Sequence, residues 1–172
     1  MKRRLLCWEA ADFLWVILAG TLLHFLYDWS GQTLPAGFFA AINESTWEHM
    51  KLLFWPALGF LMVEYLVFGE QYPHFLVAKA AALVLALGII PAVYYFLRWT
   101  FGGTPGWINV LIFVLAALVL AAGSCRFLAR GRLFGGGWCL LGGMVLWGLA
   151  MAFVLFSMDP PDLLLFVDPR AG

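Results

Sequence analysis

Apolar residues in this chain follow neither the helical nor the strand period; they run together in blocks. Five blocks succeed one another, from about Glu9 to Tyr27, Trp47 to Phe68, His74 to Trp99, Trp107 to Leu128 and Gly137 to Met158. A helix needs about 20 mostly apolar residues to cross a bilayer core. Helices apolar on all faces, rather than along one stripe, are those that sit in lipid. A transmembrane barrel would instead need many short alternating segments, and the sequence has none. The pattern predicts an all-α integral membrane protein: one transmembrane domain over residues 1–172, a five-helix bundle, with 159–172 as a tail.

Breakers sit between the blocks. Ser30-Gly31 and Pro35-Ala36-Gly37 end the first span, and Gly69 and Pro73 bracket the next turn. Gly102-Gly103-Thr104-Pro105-Gly106 makes the third turn, Gly131 and Gly135-Gly136-Gly137 the fourth, and Pro160-Pro161 stops the last span. Pro56 and Pro91 fall inside spans and are expected to kink them, which packed neighbours tolerate in lipid. The start, Met1-Lys2-Arg3-Arg4, has the charge of a signal-peptide n-region. Glu9 and Asp12 then interrupt the beginning of the apolar run, and no small-residue cleavage site succeeds it, so the first span is expected to be retained.

Composition narrows the class. The chain is 64% hydrophobic, 17% aromatic and 12% charged, with mean hydropathy +0.92. An average soluble domain is about a quarter charged. This balance excludes a soluble enzyme, a nucleic-acid binder and a disordered regulator.

The formal charge of zero hides an asymmetry. With the N-terminus in the cytoplasm, seven basic residues fall inside (Lys2, Arg3, Arg4, Lys79, Arg126, Arg130, Arg132) and three outside (Lys51, Arg98, Arg170). Lys and Arg favour cytoplasmic loops, so the N-terminus is expected inside and the C-terminus outside, in a multi-pass cell-membrane protein. Trp29, Trp47, Trp99 and Trp107 would then form an outer aromatic belt, with Trp8, Tyr72 and Trp138 near the inner one. Cys7, Cys125 and Cys139 fall near the inner side with no C-x-x-C spacing, and are expected to be free thiols.

Ionisable groups at membrane depth are costly and mark function. Here they gather in two segments. His24 and Asp28, four apart, share a helix face at the outer end of span one. Asn43-Glu44-Ser45-Thr46-Trp47-Glu48-His49-Met50-Lys51 opens span two. Asn43 or Ser45 can cap that helix, and carboxylates suit its first turn. Capping explains Asn43 and Glu44 well, and the Glu44/Glu48 pair with His49 less well. Like charges four apart repel unless a cation lies between them, which Lys51, a metal or a cationic substrate would supply. Imidazole and carboxylate are ligands for Zn²⁺ and other divalent first-row ions. His24, Asp28 and His49 are therefore candidate metal ligands, and Glu44 and Glu48 candidate catalytic bases.

His24-x-x-x-Asp28-Trp29-x-Gly31, then Asn43-Glu44-Ser45-x-Trp47-Glu48-His49-x-Lys51, resembles an uncharacterised family of small bacterial membrane proteins, a domain of unknown function with an NES-x-WEH motif. The tail Pro160-Pro161-x-x-x-Leu165-Phe166-x-Asp168-Pro169 is similar to that family's close, with Leu164 where its pattern often has proline. The resemblance implies a multi-helix inner-membrane protein with polar outer motifs. It implies no reaction.

Three readings remain open. One is a metal-dependent membrane enzyme with a divalent ion such as zinc, acting at the outer surface on a lipid-like substrate. A second is a small-solute transporter. A third is a scaffold or partner subunit whose polar network is purely structural. Membrane lipid is the expected surrounding partner, with a second copy or a membrane protein as alternatives, and no nucleic acid.

The residue pattern carries four structural expectations. Glu64 and Lys79 lie at equal distances either side of the turn near residues 71–72, so they should reach one depth and pair. The residues after Pro160 should fold back over the outer ends of spans one and two, bringing Asp159, Asp162 and Asp168 near His24, His49 and Lys51. Gly142, Gly143 and Gly148 should mark close helix packing. His74 is expected to be exposed at the interface.

Overall fold

The computed structural model describes residues 2–130 and 137–170; Gly131, Arg132, Gly135 and Gly136, on which part of the fourth turn and of the inner charge count rested, lie outside the described residues. Among the described residues six α-helices run in order: α1 (Lys2–Trp29), α2 (Leu34–Gly37), α3 (Thr46–Phe68), α4 (Phe75–Phe101), α5 (Gly106–Ala129) and α6 (Gly137–Met158). One 3-10 turn, Gly69–Gln71, extends α3 and another, Leu164–Phe166, lies in the tail. No strand occurs among the described residues. All helices but α2 are long and apolar enough to cross a membrane. Large apolar side chains cover the outside, with Leu66 85% and Trp99 87% exposed, as a lipid-facing surface requires.

Local chemistry sets the boundaries. Ser45 caps α3, its hydroxyl accepting from the Glu48 N–H at 3.4 Å. Gly102 ends α4 in the left-handed region at φ 75°, its N–H returning to the Arg98 carbonyl at 2.9 Å. α2 is an addition to the sequence reading. Pro35 sits in the first turn of that short helix, where its missing N–H costs nothing, instead of breaking the chain.

α4 is the central helix, packed against α3, α5 and α6, while α1 packs against α3 and α5. Two contacts explain how closely the backbones meet. Pro56 lies inside α3 and has no N–H for the Leu52 carbonyl. Gly20 of α1 fits against that same carbonyl; a Cβ there would stand 2.6 Å from the Leu52 oxygen. Trp15 Nε1 donates to the Pro56 carbonyl at 3.1 Å, so α1 grips the irregular turn of α3 at two points. On the other side Gly142 of α6 abuts α4, where a Cβ would fall 2.5 Å from Val77 N and Cα. Gly142 is thus the close-packing glycine expected from sequence, whereas Gly148 has nothing within 4 Å of its Cβ position.

Two expectations about single residues are corrected. Trp47 is 7% exposed and belongs to the core, its ring centroid 4.5 Å from that of Phe153 and 4.8 Å from that of Phe166. His74 is 6% exposed, and its Nε2 lies 3.2 Å from the Leu128 carbonyl. That carbonyl is in the last turn of α5, and because a carbonyl only accepts, the imidazole is its donor.

The Glu64–Lys79 pair forms as the turn symmetry predicts, in direct contact. Lys79 also takes both oxygens of Glu9, at 2.8 and 2.9 Å, and stands 3.9 Å from Asp12. Thus α1, α3 and α4 are joined at the N-terminal end by one ammonium among three carboxylates. The three cysteines are free.

A candidate metal site at the tail end of the bundle

The segment before α3 turns on its own side chains. Asn43 Oδ1 accepts from Ser45 N–H at 2.9 Å, a local turn that places Ser45 at the cap. Glu48, in the first turn of α3, reaches back to accept from the Ile42 N–H at 2.9 Å. Its carboxylate meets Lys51 at 2.6 Å. Lys51 is fully buried at 0% exposure, and its remaining protons go to the Gly37 carbonyl at 2.7 Å and Ser157 Oγ at 2.8 Å. This ion pair ties α2, α3 and α6 together. Lys51 thus has all three of its protons placed, and Glu48 Oε2 takes both the ammonium and the Ile42 N–H.

With Glu48 turned inward, Glu44 is the carboxylate that faces the two histidines. His24 Nε2 is 4.0 Å from Glu44 Oε1, and His49 Nε2 is 3.7 Å from Glu44 Oε2. The imidazole centroids are 5.5 Å apart. One ligand atom from each of His24, Glu44 and His49 lies within 4.8 Å of the others. His49 Nδ1 sits 2.9 Å from the Ser45 carbonyl. A carbonyl only accepts, so Nδ1 carries a proton, and in the neutral ring Nε2, on the side of Glu44, is the nitrogen with a lone pair to give. Second-partner hydrogen bonds of this kind orient metal-binding histidines. His24 Nδ1 is buried and has no hydrogen-bond partner.

The other candidates fall outside this group. Asp28 is exposed, one turn beyond His24, with its Oδ1 3.5 Å from Gln32 Nε2. Glu48 is committed to Lys51 and Ile42. Two residues that the sequence did not single out belong beside the site. Arg170 Nη1 makes an ion pair with Glu44 Oε1 at 3.0 Å while remaining 74% exposed. Asn109, at the start of α5, has a buried Oδ1 without a partner. It lines a cavity of about 30 Å³ with Glu44, Thr46, His49 and Tyr94, closed by Ile112 and Phe113. That is room for a water-sized polar group.

The tail does fold back. Tyr95 Oη donates to the Leu164 carbonyl at 2.8 Å, Thr46 Oγ1 lies 3.2 Å from Tyr95 Oη, and Phe166 packs on Trp47. The charge contacts differ from expectation. Asp159 and Asp162 are exposed, and Lys51 is taken by Glu48. Asp168 accepts from the Glu44 N–H at 3.5 Å and the Arg170 N–H at 2.8 Å, so it aims the arginine at Glu44 rather than facing a histidine.

Among known proteins, no curated protein and no solved structure matches the chain. A family model matches residues 3–172, and a match of that extent makes this chain a member of the family of unknown function DUF6512.

Proposed function

We propose that His24, His49 and Glu44 form a divalent-metal site, with zinc as the fitting ion, at the outer membrane interface. One observation carries this reading: three metal-ligating side chains from two segments of the chain converge without hydrogen-bonding to one another. Their separations of 3.7 and 4.0 Å are too long for direct hydrogen bonds. The two contacts run to different oxygens of Glu44, and one ligand atom from each residue lies within 4.8 Å of the others, so the group closes inward to reach the ligand–ligand edge of a zinc tetrahedron, about 3.3 Å for bonds of about 2.0–2.1 Å. Two histidines and one glutamate also match the ligand set of hydrolytic zinc sites, which keep a fourth position open.

The finer reading is a membrane enzyme acting on a lipid-like substrate. A bound divalent ion would lower the pKa of water and polarise a carbonyl or phosphoryl oxygen. The cavity beside Glu44 and His49 suits a small polar group, and Asn109 Oδ1 and Tyr94 stand there to orient it. A groove of about 510 Å³ shares Tyr94 with that cavity and is lined by Tyr95, Arg98 and Trp99 of α4 and by Leu164, Val167 and Pro169 of the tail. Its size and apolar walls suit an acyl or prenyl chain, and Arg98 suits an anionic head. The Lys/Arg bias supports an outer placement of this end.

The Arg170–Glu44 pair favours a second reading, in which the polar network only fastens the tail to α3. Zinc titration of the full chain in nanodiscs separates the two. The metal reading expects one tightly held zinc per chain, lost in His24→Ala and His49→Ala with folding retained. The fastening reading expects no stoichiometric zinc and lower thermal stability in Glu44→Ala and Arg170→Ala alike.

A further inference from the structure

The cluster at the opposite end carries an independent inference. Glu9 and Asp12 of α1, Glu64 of α3 and Lys79 of α4 are 2, 3, 0 and 2% exposed. Fully ionised, the four would hold two uncompensated negative charges inside apolar spans. A single charge at the centre of a membrane helix already costs about 2.5–3.5 kcal/mol on the milder insertion scale. An uncompensated buried charge is relieved by neutralisation.

The oxygens point to how. Glu9 has both oxygens on Lys79 Nζ, and Glu64 touches the same ammonium. Asp12 is the outlying carboxylate, with Oδ2 3.9 Å from Lys79 and Oδ1 buried without any donor. Glu64 Oε1 also lacks a donor. The other titratable group packed nearby is Cys125 of α5, within electrostatic reach of Glu9, Lys79 and Glu64. No second cation faces the cluster among its described partners. Metal binding does not suit it, since Lys79 already fills the space between the carboxylates.

We propose that this cluster is a proton-binding site, with Asp12 carrying a proton at neutral pH. The bond formed is O–H on Asp12, the proton coming from water at the near face. One proton removes one of the two excess charges and turns an oxygen with no donor into a donor. Lys79 then stands between two carboxylates, Glu9 and Glu64, rather than three. The lone oxygen of Glu64 is the remaining cluster atom without a donor for such a proton to meet.

Infrared difference spectroscopy of the full chain in nanodiscs reads the proton directly, because a protonated carboxyl has a C=O stretch well separated from carboxylate bands. The expected result is such a band at pH 7, shifted in D₂O and lost in Asp12→Asn. If that variant does not fold, labelling aspartate with ¹³C in the unaltered protein keeps the test: the band must shift. Asp12 is the aspartate this reports, since Asp28, Asp159 and Asp162 are exposed and Asp168 is half-buried at the water interface. The absence of a carboxylic-acid band at pH 7, its survival in folded Asp12→Asn, or a shift with labelled glutamate alone would overturn the proposal.

Discussion

The two charged clusters stand at opposite ends of α1 and differ in how their groups meet. At the N-terminal end Lys79 touches Glu9 and Glu64 directly, and all four members are 0–3% exposed. At the tail end Glu44 faces two imidazoles at 3.7 and 4.0 Å, and it is 22% exposed. The first has Lys79 at its centre, linking α1, α3 and α4. The second holds donors that converge but do not bond one another, within reach of solvent. Burial and density of polar groups alone do not separate a fold-holding cluster from a ligand-taking one. Whether a cation of the chain already occupies the centre of the cluster does.

The contrast between the two ends breaks first at Lys79. Lys79→Met leaves three buried carboxylates with no cation, and breaking a buried pair in this way costs about 3–5 kcal/mol. Thermal unfolding in detergent should show a large fall; a midpoint near that of the unaltered protein would remove the distinction. Glu48→Ala, which strands the buried Lys51, should behave like the N-terminal cluster, with a similar loss of about 3–5 kcal/mol, even though it lies next to the histidines. Gly142→Val should cost about 1–3 kcal/mol by overpacking, because its first carbon would collide with the Val77 backbone. Arg170→Ala should cost least, about 0.2–1 kcal/mol, as an exposed pair. It should also tighten zinc binding by freeing Glu44, as isothermal titration would read.

The spans were legible because lipid imposes a length and an all-round apolarity that a run of residues displays directly. The boundary of α4 shows this, where Gly102 adopts positive φ at the place its glycine-rich turn indicated. The Glu64–Lys79 pair was legible from distances along the chain to a shared turn. Glu9 and Asp12 were not, because their place in the cluster depends on how α1 is rotated about its axis against α3 and α4. The site was half legible for the same reason. His24, Glu44 and His49 lie in two recognisable motifs, but spacing alone put Asp28 on the face of His24, where the structure leaves it exposed. It also left open which of Glu44 and Glu48 turns inward. Lys51 decides that by drawing Glu48 into the bundle. Arg170 could not be read, since its contact depends on the path of the tail past Tyr95 and Trp47.

On this account the tail end of α1 and the segment leading into α3 take a metal that the N-terminal cluster does not. Zinc per chain, measured by mass spectrometry on the purified protein after dialysis, tests it most directly. One zinc is expected in the unaltered chain and in Asp12→Asn, and none in folded His24→Ala or His49→Ala. Substoichiometric zinc in the unaltered chain, or a full complement in both histidine variants, would contradict it.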